Sequence, residues 1–70
     1  MSGTITVILN GCDETISKGA TIMDLLVMLN ENDQHLIVEH NDQFVPPAHY
    51  ATRVVEEGDT VEFINPNIGG

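Results

Sequence analysis

Apolar and polar positions alternate at the start of the chain. Ile5, Val7 and Leu9 fall on one side of an extended segment over Thr4–Leu9 that is rich in β-branched residues. Asn10-Gly11 follows, a pair suited to a type I′ turn because both central residues need positive φ. Residues 12–16 then read as the returning strand, with Asp13 and Glu14 discouraging edge-to-edge association. The period changes after Ser17-Lys18-Gly19-Ala20. Thr21 is a suitable N-cap, and Asp24 three places on completes a capping box. Ile22, Leu25, Leu26 and Leu29 make one apolar stripe at helical spacing, and Met23, Val27 and Met28 broaden it; the whole stripe is expected to face the core. Asn30 to Asp33 are residues that tolerate the left-handed backbone of a helix end.

The second half returns to strands. Residues 36–40 read as a third strand and 43–45 as a short fourth, which Pro46-Pro47 ends by removing two backbone donors. Residues 48–53 fit a brief helical loop, since proline suits a first helical turn. Glu57-Gly58-Asp59 is a turn, and Thr60–Ile64 is the last strand, with Val61 and Phe63 on one side. The order β-β-α-β-β-β, with one long helix, predicts an α+β chain of the β-grasp type. Its mixed sheet of four to five strands packs on one main helix, with the terminal strand parallel to the first. One helix covers one face of such a sheet. Ile8 and Ile64, out of phase with their core-facing neighbours, are candidates for the open face. An apolar patch there would bind a partner, although scattered apolar residues are also ordinary on a surface.

Charge narrows the partners. Eleven acidic residues stand against Lys18 and Arg53, for a net charge of −9. Phosphate contacts depend on Lys and Arg, so neither nucleic acid nor an anionic membrane is an expected partner. The acidic surface serves solubility, or steers the chain toward a basic patch on another protein. Seventy residues allow one domain with a thin core. Cys12 is the only cysteine, so no disulfide forms within the chain. The first residues lack the pattern of a signal peptide, and no apolar run approaches the roughly 20 residues that span a bilayer; the expected compartment is the cytoplasm.

No self-contained active site emerges. Cys12 lies beside Asp13 and Glu14, which oppose thiolate formation, and reads as a strand residue. His35, His40 and His49 lack metal-ligand spacing on one helix, so no metal is expected. Glu56-Glu57 reads as a solvated loop rather than an acid–base pair.

The distinctive feature is the end. A domain over residues 1–64 is followed by a tail over 65–70, Asn65-Pro66-Asn67-Ile68-Gly69-Gly70. Two glycines at a terminus arise by chance roughly once in 200 chains at average glycine usage. Six residues extend about 20 Å, enough to enter another protein's active site. Glycines thread a narrow channel without a Cβ, and Pro66 holds φ near about −65°, keeping the root of the tail extended. The α-carboxylate is an anion near neutral pH and a poor electrophile, so transfer from it needs prior activation, for which adenylation by ATP on a partner enzyme would serve. The alternative is a frayed terminus.

Together, Asn10-Gly11, Ala20-Thr21-Ile22 leading to Leu25-Leu26, Phe44-Val45-Pro46, the run from Glu57-Gly58-Asp59 through Thr60-Val61-Glu62-Phe63, and Gly69-Gly70 resemble the ThiS family of thiamine-biosynthesis sulfur carriers. The MoaD family of molybdopterin-synthase small subunits is a more distant likeness. The resemblance covers nearly the whole chain and implies a ubiquitin-like β-grasp fold. It further implies that the chain is a carrier and not an enzyme. The terminal glycine would be adenylated by a ubiquitin-activating-type adenylyltransferase, ThiF- or MoeB-like, which uses ATP while the carrier binds no cofactor. A sulfur donor would convert the adenylate to a covalent thiocarboxylate, and a ThiG-like thiazole synthase or another acceptor would take the sulfur. Carried over, Gly70 bears the sulfur, Gly69 keeps the tail thin, and Ile68 with Phe44, Val45 and Pro46 helps docking; Ile8 and Ile64, from their strand phase, and Pro66 and Asn67, as the root of the tail, complete the expected binding set. The chain departs from the family at Pro47, where arginine is frequent, and at Asn65-Pro66-Asn67. A carrier of another sulfur pathway, a ubiquitin-like modifier and a β-grasp binding module with an idle tail are the other readings.

Overall fold

In the computed structural model, which describes residues 3–66, the first two strands are β1 (Thr4–Leu9) and β2 (Cys12–Ser17). They form an antiparallel hairpin whose turn residues Asn10 and Gly11 have φ of 51° and 84°, as a type I′ turn requires. Helix α1 (Ile22–Met28) follows, then β3 (Ile37–His40), β4 (Gln43–Phe44), a 3₁₀ turn over Pro47–His49, and β5 (Thr60–Ile64). The sheet order is β2-β1-β5-β3-β4, with β5 parallel to β1 and the other pairs antiparallel. A parallel neighbour needs a long crossover, and α1 with the strands after it lies within the one that joins β1 to β5. This is the five-stranded mixed sheet on one helix that the order of elements predicts.

The ends of α1 are closed by specific hydrogen bonds. Thr21 accepts from the backbone N–H of Asp24, and the Asp24 carboxylate accepts from that of Thr21, a complete capping box. The N–H groups of Ile22 and Met23 donate to the carbonyls of Arg53 and Tyr50, so the loop after the 3₁₀ turn satisfies the remaining donors of the first turn. At the other end Asn30 takes φ 56°, its N–H bonds the Val27 carbonyl, and the N–H of Glu31 bonds that of Leu26. This is a Schellman motif.

The core joins Ile5, Val7, Leu9, Val61 and Phe63 of the sheet to Ile22, Leu25 and Leu26 of the helix. Val55 completes it from the loop, fully buried, with its N–H bonded to the Ala20 carbonyl. The helical stripe departs from expectation. Leu29, Met23, Val27 and Met28 are exposed, Val27 to 71%. A seven-residue helix turns its centre to the sheet and its flanks away. At about 100° per residue, Met23 and Val27 fall on one flank and Met28 on the other. Leu29 is the C-cap, where the chain leaves the helix.

Candidate functional site

Alternation along paired strands puts every second side chain on the face away from α1. In β1 these are Thr4, Thr6 and Ile8; in β5, Thr60, Glu62 and Ile64. Ile8 lies opposite Thr60, and Ile64 lies opposite Ile37. Ile8 and Ile64 therefore share the open face but are not neighbours. Four residues of β5 separate their registers, about 13 Å of strand. Between those registers, Glu62 lies opposite Glu39, which on its other side faces Phe44.

Phe44, exposed to 59%, stands at the β4 edge of this face. The open face thus carries an acidic pair, Glu39 and Glu62, flanked by Phe44 and the Ile37–Ile64 pair. Like charges directly opposite are unfavourable within a sheet, so the pairing does not stabilise the fold. The sequence pattern places Glu62 in phase with Ile64, but Glu39 and Ile37 join the face only through the β3–β5 register, which needs the long-range pairing.

Val45 is a correction to the expected docking set. It is fully buried, and its N–H bonds the Val38 carbonyl at 2.9 Å, so it belongs to the core and cannot touch a partner. Pro66 is exposed two residues beyond β5. Asn67, Ile68, Gly69 and Gly70 lie outside the described residues.

A second polar cluster surrounds a single buried side chain. Buried His40 donates from Nε2 to Asp59 Oδ2 at 2.6 Å, and Arg53 Nε donates to its Nδ1 at 3.0 Å. The guanidinium can only donate, which assigns the ring proton to Nε2. Arg53 also reaches Gln43 Oε1, while Asn41 and the backbone N–H of Glu56 donate to Asp59. Burial works to raise the Asp59 pKa. The hydrogen bonds from His40, Glu56 and Asn41 outweigh it and hold the carboxyl below its ordinary value. Both ring nitrogens of His40 are engaged and no nucleophile adjoins them. The cluster ties β3 and the start of β5 to the loop carrying Arg53, rather than forming a catalytic pair.

Cys12 is exposed at the start of β2. Among the described residues no group of three or more His, Cys, Asp or Glu could hold a metal ion. No helix there is long and apolar enough to cross a membrane.

Comparison with known proteins gives the frame. No curated protein sequence matches the chain. The crystal structure of a thiamine biosynthesis protein (ThiS) from Geobacter metallireducens is similar over 94% of this chain and 100% of that one, with 25% identity and a TM-score of 0.81. The model of the ThiS family matches residues 7–70, from the middle of β1 through Gly69-Gly70. A match of that extent, on a β-grasp with the same architecture, places this chain in the ThiS family.

Proposed function

We propose that the chain is a sulfur carrier of thiamine biosynthesis, a co-substrate whose working group is the carboxylate of Gly70. The observation that carries this reading is the family match, which includes the segment after β5 and both terminal glycines. The thiamine pathway is further supported by the similar solved structure from Geobacter metallireducens.

The chemistry follows from the weakness of a carboxylate as an electrophile. On an adenylating partner of the ThiF or MoeB kind, a carboxylate oxygen of Gly70 bonds the α-phosphorus of ATP and pyrophosphate leaves. Sulfide-level sulfur from a donor then bonds the carbonyl carbon. AMP departs with the oxygen it gained, leaving a thiocarboxylate with sulfur in place of one oxygen. A ThiG-like synthase takes that sulfur for the thiazole ring. The carrier's own residues dock and deliver. Six residues can reach about 20 Å when extended, and glycines would present no side chain to the partner's channel.

Docking falls to the open face of the sheet, with Phe44, Ile64 and Ile8 giving apolar contact. Glu39 and Glu62 would receive basic groups of the activating enzyme, which fits a net charge of −9. The test is ATP–pyrophosphate exchange by a purified ThiF-type enzyme from the same organism. Exchange is expected with the full chain and absent with a chain lacking Gly70 that keeps its circular dichroism. Undiminished exchange by the truncated chain would remove Gly70 from the chemistry.

A further inference from the structure

The flank of α1 that the sheet does not cover borders a groove. Met23 and Val27, one helical turn apart, form one wall, and Pro47 with half-buried Tyr50 forms the other, over a floor of Leu26 and Leu36. Its volume is about 280 Å³, just below the range of small-ligand cavities and suited to one or two side chains. Glu31 and Asp33 stand at the rim. Asp33 Oδ1 accepts from the backbone N–H of His35 at 2.8 Å and lies 3.7 Å from the Nδ1 of that histidine, but neither the lysine nor the arginine of the chain reaches the rim. Arg53 is engaged by His40 and Gln43, and Lys18 lines a separate groove with Met28, on the other flank of the helix.

An apolar floor, an acidic rim and an adaptable methionine wall together specify an occupant. We propose that this groove docks a basic segment of a second protein, which inserts one bulky apolar side chain between Val27 and Tyr50 and sets a lysine or arginine against Glu31 and Asp33. A second copy of the chain fits poorly, since two molecules of charge −9 repel. The 65–70 segment fits poorly too, because it would bring its carboxylate to the acidic rim. The groove lies on the helix layer and the acidic sheet face on the opposite layer, so one partner can occupy each at the same time. This inference does not depend on the sulfur chemistry.

The test uses the full chain labelled with ¹⁵N and two pools of synthetic pentapeptides. One pool carries a single leucine, phenylalanine or tryptophan flanked by arginine and lysine. The other has glutamate at the flanking positions. The basic pool is expected to shift the amide resonances of Leu26, Val27, Leu36 and Tyr50 saturably, and the acidic pool to leave them unmoved. Val27→Lys, at an exposed position that keeps the fold, should weaken binding at least roughly tenfold. Glu31→Gln with Asp33→Asn should flatten its salt dependence.

Equal effects from the two pools, shifts confined to Ile8, Phe44 and Ile64, or no saturable shift at millimolar peptide would overturn the proposal. Two controls bear on the other occupants. If removing residues 67–70 moves the same amides, the tail fills the groove. If the chain sediments as a dimer that Val27→Lys dissociates, a second copy fills it. Either result also overturns the proposal.

Discussion

Asn10 shows how much one residue can do in a chain this short. Its backbone takes φ 51° beside Gly11 at 84°, and its side-chain oxygen accepts the part-buried N–H of Phe63 at 2.8 Å. The first property was legible, because Asn-Gly between two β-branched runs signals a tight turn. The second was not, because a bond between residues 53 apart leaves no local trace. Replacing Asn10 with alanine combines left-handed strain of roughly 1 kcal/mol with an unpaired donor worth roughly 1–2 kcal/mol, an expected loss of about 2–3 kcal/mol. Urea unfolding of Asn10→Ala and Asn10→Gly separates the two roles. Glycine adopts positive φ without strain but offers no acceptor, so it should lose only the roughly 1–2 kcal/mol of the unpaired donor; no loss in Asn10→Gly would mean that the bond to Phe63 contributes nothing.

Asp59 gives a pH dependence of definite sign. Its carboxyl is held below the ordinary value of 3.8 in the folded chain, mainly because hydrogen bonds from His40, Glu56 and Asn41 overcome the effect of burial. A depressed carboxyl stabilises the fold above the unfolded-state pKa, and that contribution is lost as pH falls through the lower folded value. The urea midpoint should therefore fall as pH drops below about 4. Asp59→Asn should be less stable at neutral pH and show a flatter acid limb. An unaltered slope in the variant would assign the acid sensitivity to other carboxylates.

At the level of elements, the hairpin, the capping box and the last strand follow from spacing alone, because each depends on residues within a few positions of one another. What spacing cannot give is the width of the surface that an element meets. Seven apolar residues between Ile22 and Leu29 read as one broad stripe, yet the sheet buries only Ile22, Leu25 and Leu26. The bonds from Ile22 and Met23 to carbonyls of the later loop were equally hidden, since a backbone acceptor carries no residue identity. Val55 entered the core by the same route.

Strand register produces the acidic pair. Glu39 and Glu62 are directly opposite in an antiparallel ladder, an arrangement that costs a few tenths of a kcal/mol or more. Glu62→Gln should thus raise stability by about 0.2–1 kcal/mol. If the pair serves docking, the same change should raise the KM of the activating enzyme for the carrier and weaken its salt dependence. A stability gain with an unchanged KM would leave the pair without a role in recognition.

The described part of the molecule is a two-layer domain with its core on one side of the sheet and the surfaces proposed for partners elsewhere. The proposed working group rests on Gly69-Gly70, outside the described residues, and on the family match, and nothing among the described residues competes with it. The open face of the sheet was legible in part. Ile8, Ile64 and Phe44 are exposed on it, but the same dipeptide that contains Phe44 sends Val45 into the core, since neighbours in extended chain point to opposite faces. Glu39 and Ile37 joined it only once β3 and β5 were in register. A net charge of −9 predicts basic partners without naming them.

The most direct test of the central claim is the intact mass of the protein after incubation with soluble extract of its host, ATP and cysteine. Alkylation of one half of the sample then traps any thiocarboxylate. A gain equal to the replacement of one oxygen by sulfur, localised to Gly70 and captured by the alkylating agent, is the predicted result. An unchanged mass, in an extract shown to load a known carrier, would contradict it.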